Sequence, residues 1–203
     1  MPDTELKIKK DLSVSMARAN LYSVFFAIPA AAILVAVYLI FWDTAGLIHA
    51  RFLIYKYFYL SIVILIFSIL LHELIHGLTW IWFGKKAVHT IYYGFNLKAL
   101  SPYAHCREPL NIQAYRWGAA MPGLILGIVP ALLGIITGNG IIMLFGLLFT
   151  VAAGGDAIIL WSLRKENARE LVLDHPTRAG CIIIESSPDQ TDPASKGGIN
   201  YEI

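Results

Sequence analysis

The chain has 203 residues, 57% of them hydrophobic and 15% charged, with a formal net charge of +2. A composition this apolar excludes a water-soluble domain of ordinary makeup, and so small a net charge offers no general attraction for polyanions. Cys106 and Cys181 are far apart and beside different basic segments, so they read as reduced cytoplasmic thiols rather than a disulfide framework.

The first apolar run lies near residues 21–42 and follows Lys7, Lys9, Lys10 and Arg18. The charged start resembles a signal peptide, but an apolar stretch of about 20 residues exceeds the usual 7 to 15 and predicts a retained anchor. Further runs near 59–83, 117–137 and 141–163 each reach the roughly 20 residues that a helix needs to cross a hydrocarbon core. The expected fold is therefore an all-α polytopic membrane protein with about four transmembrane helices. Residues 1–185 form one membrane domain, and the Pro-, Ser-, Asp- and Gly-rich stretch 186–203 is expected to be a disordered tail.

Between the second and third runs, Val88 to Leu100 is rich in Tyr, Ile, Val and Phe with Gly94 in its middle, and predicts a short β-hairpin in the cytoplasmic loop. An irregular segment whose Tyr92, Tyr93 and Phe95 sit in an interfacial aromatic belt is the competing reading. The third run carries Gly118, Pro122, Gly123, Gly127, Pro130 and Gly134, small residues at helical spacing that predict a packing face, serving internal contacts or a dimer equally well. Only Gly138-Asn139-Gly140 separates the last two runs, so those helices are expected to be antiparallel neighbours.

Of the sixteen Lys and Arg residues, only Arg51 and Lys56 fall between the first two runs and none between the last two. The remainder precede the first run, lie between the second and third, or follow the fourth. By the positive-inside tendency both termini are cytoplasmic. Juxtamembrane placement explains these clusters, and membrane lipid rather than nucleic acid is the expected partner.

The chemistry is concentrated in His72-Glu73-Leu74-Ile75-His76, within the second apolar run. Histidines four apart project from one helical face, one turn above the other, so both imidazoles can bind one metal ion. Glu73 follows the first of them, placed to act on water at the metal without entering the ligand set, as a metalloprotease general base must. Each ionisable group near a bilayer centre costs roughly 2.5 to 3.5 kcal/mol on insertion scales. A plain hydrogen-bonded cluster would use Ser, Thr or Asn more cheaply, so the motif points to Zn2+.

Catalytic zinc generally has three protein ligands. Asp156, in Ala153-Gly154-Gly155-Asp156, is the carboxylate within the fourth run. The motif lies roughly 16 Å above Lys85 and Asp156 roughly 12 Å above Arg164 at 1.5 Å per residue, so their depths agree within a turn. Gly154 and Gly155, with Gly77 opposite, are expected to let the two helices approach closely. His105, if its loop folds back, and Glu166, which has Glu170 four residues on, are the rival third ligands. His49, His89 and His175 have no partner at ligand spacing and receive no role.

Four segments together resemble a bacterial family of membrane proteins described as zincin peptidases: 72–77, Ala104 to Leu110, Ala152 to Asp156, and Leu173 to Thr177. The resemblance spans about half the chain and implies a zinc peptidase of the bacterial cell membrane without naming a substrate. More distantly, the order of a motif-bearing helix, a spacer helix and an Asp-bearing helix is similar to the core of site-2-type intramembrane proteases. That likeness implies His72, His76 and Asp156 as ligands and Glu73 as base. The site-2 group usually has Gly after its Asp, where this chain has Ala157.

The expected function is hydrolysis of peptide bonds in a peptide or membrane-protein substrate, in or near the cytoplasmic side of the bilayer. A strand edge within Val88 to Leu100 is expected to hold the unwound substrate. The alternative is a non-catalytic membrane protein that binds a metal or a partner helix. Glu73 separates the two, since a binding site gains little from it.

Overall fold

A computed structural model describes residues 7–97, 101–175 and 178–185; the tail expected at 186–203 lies outside the described residues. The chain is mostly helical. Helix α1 (Met16–Phe41) begins where the Ser15 hydroxyl accepts from the Arg18 N–H. Helix α2 (Ala45–Lys56) follows after a three-residue break. Helix α3 (Phe58–Gly84) is uninterrupted and ends at Lys85, whose φ of 51° stops the helix in a left-handed turn.

The third apolar run begins earlier than its hydropathy suggests, because Asn111 caps α4 (Ile112–Pro122) by accepting from the Ala114 N–H at 2.7 Å. It continues through a π-helical stretch, Gly123–Ile128, into α5 (Val129–Thr137). The stretch lies between Pro122 and Pro130, each lacking the N–H that an α-helical turn uses, and a widened turn accommodates the missing bonds. Gly138 then adopts φ 68°, and the Asn139 side chain accepts from the N–H groups of Ile141 and Ile142 to start α6 (Gly140–Ala152). Helix α7 (Gly154–Leu163) follows with a 47° bend. Among the described residues, three helices are long and apolar enough to cross a membrane (α1, α3 and the 112–137 composite), or four if the bent pair α6–α7 is one span.

The small residues of α4 and α5 pack internally. A Cβ at Gly127 would meet the Thr150 backbone at 2.8 Å, and one at Gly134 or Gly146 would enter the backbone of the facing helix. Leu34, Tyr38, Ala131, Ile135 and Met143 fill the contact among α1, α5 and α6. The Tyr38 hydroxyl donates to Gly138 O at 2.9 Å and Trp42 Nε1 to Ile135 O at 2.7 Å, so α1 satisfies carbonyls left open at the end of α5.

Strands correct the expectation of an all-α fold. A four-stranded antiparallel sheet joins β1 (Ile8–Asp11), β6 (Cys181–Ile184), β5 (Leu171–Asp174) and β4 (Leu110–Asn111), in that order. The inner strands carry the apolar runs Cys-Ile-Ile-Ile and Leu-Val-Leu, and Val172, Ile183 and Cys181 are fully buried. The exposed edge strand β1 is lysine-bearing, with Lys9 bonded to Glu170 and Lys10 to Glu166 at 2.6 Å, which blunts the edge. The sheet gathers segments preceding α1, between α3 and α4, and following α7 at one end of the helical bundle.

The expected hairpin is present, but its boundaries differ. Strand β2 (Ile91–Asn96) pairs with β3 (Ser101–Cys106), so Val88 to Leu100 supplies one strand of the pair and its partner begins at Ser101. Gly94 is not the turn: it pairs with Tyr103, whose ring occupies the space a Cβ would take. Trp80, Ile91, Cys106, Leu110, Tyr115 and Leu163 belong to the buried cluster where the hairpin, the sheet and the ends of α3, α4 and α7 meet. Cys106 and Cys181 are free and buried, and burial pushes their thiols up to about 11 and about 12, which keeps both protonated near neutrality.

Candidate metal centre

The motif lies in the C-terminal half of α3, where i, i+4 spacing brings His72 and His76 edge to face with ring centroids 4.9 Å apart. The bend after Ala152 starts a fresh helix at Gly154, which places Asp156 in the first turn of α7, where the helix dipole favours a carboxylate. Asp156 meets both rings: Oδ2 is 3.3 Å from His72 Nε2 and Oδ1 is 3.5 Å from His76 Nε2. A Glu73 oxygen and one ring nitrogen from each histidine lie within 4.8 Å of one another.

These residues fit a zinc ion. Ligands held about 2.0–2.1 Å from a tetrahedral metal are separated by about 3.4 Å, and the two carboxylate–imidazole separations bracket that value. His76 Nδ1 donates to Gly118 O at 2.9 Å, fixing the tautomer that leaves Nε2 with its lone pair toward the site. His72 and His76 could hold such an ion with Asp156 or Glu73 as a third donor.

Gly118 serves this arrangement twice. Its carbonyl orients His76, and its missing Cβ admits Trp80, whose indole lies over it. Trp80 stacks on His76 and on Tyr115, each with centroids 5.8 Å apart. Held between two rings, Trp80 cannot yield to a methyl group. Gly118→Ala is therefore expected to lower zinc affinity about 10–100-fold, the usual cost of disturbing an outer-shell partner, in a competition titration against a chelator. Unchanged affinity would remove Gly118 from the site's support.

The glycines expected to bring α3 and α7 together do other work. Gly154 approaches α1, where a Cβ would meet Ser23 at 3.0 Å, and Gly155 has nothing within 4 Å. Gly77 is covered by the hairpin, since a Cβ there would meet Ile91 at 2.8 Å and the Tyr93 side chain. Asp156 reaches the histidines by side-chain length rather than through close backbone packing.

The rival ligands separate. Glu166 is paired with Lys10 and Glu170 with Lys9, both on β1. His105 shares a cavity of about 1420 Å³ with His72, Glu73, His76 and Asp156, but its Nδ1 faces Asp174 Oδ2 at 3.5 Å. His175 also borders the cavity, and its Nδ1 accepts from the Arg178 N–H at 3.1 Å.

Asp174, together with Tyr115 and Trp80, is the part of the site that motif reasoning missed. Its side chain is 11% exposed. Oδ1 accepts from the Tyr115 hydroxyl, and Oδ2 from the Cys106 N–H at 3.1 Å. Burial pushes the Asp174 carboxyl above its ordinary value against the pull of these donors and of His105. One signal was available: Trp80 extends the i, i+4 row of His72 and His76 by another turn.

Two histidines at i, i+4 on one helix, with a glutamate after the first, are the pattern of a metalloprotease zinc site. A family model described as "putative zincin peptidase" matches residues 65–171, and the chain belongs to that family. No curated protein and no solved structure matches it.

Proposed function

We propose that the chain is a zinc-dependent membrane metallopeptidase that hydrolyses peptide bonds in or near the cytoplasmic side of the bilayer. The observation that carries this reading is the convergence of Glu73, two imidazoles and Asp156 among helices whose outer faces are apolar. Phe25, Ile33, Ile40, Phe67 and Ile136 are all more than 60% exposed, surface that water would penalise and lipid would not. Antiparallel pairing of β1 with β6 supports a common side for the segments that precede α1 and follow α7. The lysines and arginines there support the cytoplasmic assignment of both termini.

His72, His76 and Asp156 would hold a zinc ion, which would supply Lewis acidity toward water and toward a carbonyl oxygen. Glu73 takes the proton from the attacking water and passes it to the departing amide nitrogen, so its own protonation state is restored in each turnover. The Ala104 N–H, on β3, donates toward the Glu73 carboxylate and orients it.

The outer edge of β3 is the strand edge that faces the site, since the N–H groups of Ala104 and Cys106 point to Glu73 and Asp174. An extended substrate adding to that edge would lie in the cavity beside Glu73. This moves the strand-addition surface from Val88–Leu100 to Ser101–Cys106. Ala104→Pro removes the N–H that orients Glu73 without touching the β2–β3 ladder. It is expected to reduce cleavage up to about tenfold, the worth of one backbone hydrogen bond, with zinc content unchanged. Full turnover in this variant would remove Ala104 from the support of Glu73.

The peptidase reading is tested by purifying the protein from membranes, measuring bound zinc, and assaying cleavage of fluorescein-labelled casein beside Glu73→Gln. Absence of zinc in the unmodified protein would overturn it.

A further inference from the structure

A peptide carbonyl under attack gathers negative charge on its oxygen, and a hydrogen-bond donor already aimed at that oxygen stabilises the charge without reorganising. His105, on β3, is a candidate for such a donor, because it lines the same cavity as His72, Glu73 and Asp156. Its Nδ1 faces Asp174 Oδ2 at 3.5 Å, which leaves Nε2 as the ring nitrogen to meet a ligand.

Asp174 is built to hold that ring still. It comes from β5, and through the Tyr115 hydroxyl and the Cys106 N–H it ties the four-stranded sheet to α4 and to the hairpin. Tyr115 in turn stacks on Trp80, and Trp80 on His76. A continuous chain of contacts, His105–Asp174–Tyr115–Trp80–His76, thus fixes the hairpin wall relative to the metal-site wall. A purely structural carboxylate at Asp174 would be served by Tyr115 and Cys106 alone. The histidine it also holds is half-buried at the cavity surface, with its second nitrogen uncommitted among the hydrogen bonds described.

We propose that His105, positioned by Asp174, contacts the substrate and donates from Nε2 to the carbonyl oxygen of the peptide bond being cleaved. The Asp174 carboxylate faces the ring's other nitrogen, Nδ1, at 3.5 Å. No bond to His105 forms or breaks: water supplies the oxygen, Glu73 moves the proton, and His105 stabilises charge. The inference rests on the peptidase reading.

The test uses the full chain in lipid nanodiscs, with fluorescein-labelled casein as substrate. A phosphinic peptide, whose tetrahedral anionic group imitates the attacked carbonyl, is the binding probe. His105→Ala is expected to keep its zinc and its KM, to lose about 10²–10³ in kcat, and to bind the phosphinic peptide more weakly by a similar factor. His105→Gln, which retains an N–H donor, recovers part of both losses. Asp174→Asn lowers kcat with zinc retained. Unchanged kcat and phosphinic-peptide affinity in His105→Ala would overturn the assignment, and so would losses that follow loss of zinc or that His105→Gln does not relieve.

Failure of the underlying reading looks different. If the unmodified protein neither cleaves casein nor binds the phosphinic peptide, or if Glu73→Gln cleaves at the full rate, the peptidase reading falls and takes this inference with it. An inactive Glu73→Gln beside a fully active His105→Ala removes only the role of His105.

Discussion

Glu73→Gln is expected to lower casein cleavage about 10²–10⁴-fold, the contribution of a positioned general base, while zinc stays bound at the level of the unmodified protein. The two side chains are nearly isosteric, so the packing of α3 against the hairpin should persist. Glutamine keeps an oxygen to accept from the Ala104 N–H. What it loses is the ability to take a proton from water. Metal analysis and cleavage, measured on the same preparation, separate this from a ligand role: if Glu73 held the metal, zinc would fall together with activity. A non-catalytic binding protein has no use for the carboxylate, and in that case no cleavage would exist to lose. Full activity of the variant would sink the assignment of Glu73.

Asp156→Ala is expected to act through the metal. The two imidazoles are shared by one carboxylate whose oxygens stand 3.3 and 3.5 Å from their Nε2 atoms, and its removal leaves two ligands where a catalytic zinc site has three. The loss of zinc affinity should exceed the roughly 10–100-fold that an outer-shell partner is worth. Activity should fall with zinc occupancy, and high zinc should restore part of it. Glu166→Ala is the contrasting variant, because Glu166 is paired with Lys10 and its removal leaves the metal residues untouched. Zinc unaffected by Asp156→Ala would remove Asp156 from the ligand set.

The residues of this centre were legible because ionisable groups are rare in apolar helices and the helical period is regular. His72 and His76 share a face by spacing alone, and Asp156 could be set at their level by counting residues from the basic flanks. What could not be read was anything that depends on distant strands pairing. Strand β1 has four residues and β4 two, and each gains its pairing from a strand far along the chain, β6 and β5, so no local pattern announces them. Asp174 becomes a site residue only because β5 carries it to β3 and α4. Helix α2 was overlooked for another reason: with Arg51, Lys56 and twelve residues, Ala45–Lys56 is too short and too charged for the spanning pattern that exposed its neighbours. The hairpin was half legible, since the aromatic and β-branched run marks β2, while β3 contains Pro102 and Ala104, which a propensity scale passes over.

The sheet order β1-β6-β5-β4 also bears on the life of the chain during synthesis. Leu12, Val14, Ala179 and Gly180, which flank β1 and β6, complete one wall of the cavity. That wall closes only after Ile184 has left the ribosome and β6 has slotted between β1 and β5, after both α3 and α7 have been made. The motif-bearing helices are thus in place while their cavity still lacks a side. Until β6 pairs, a nascent chain carries the residues of the candidate site in a cavity that lacks part of one wall.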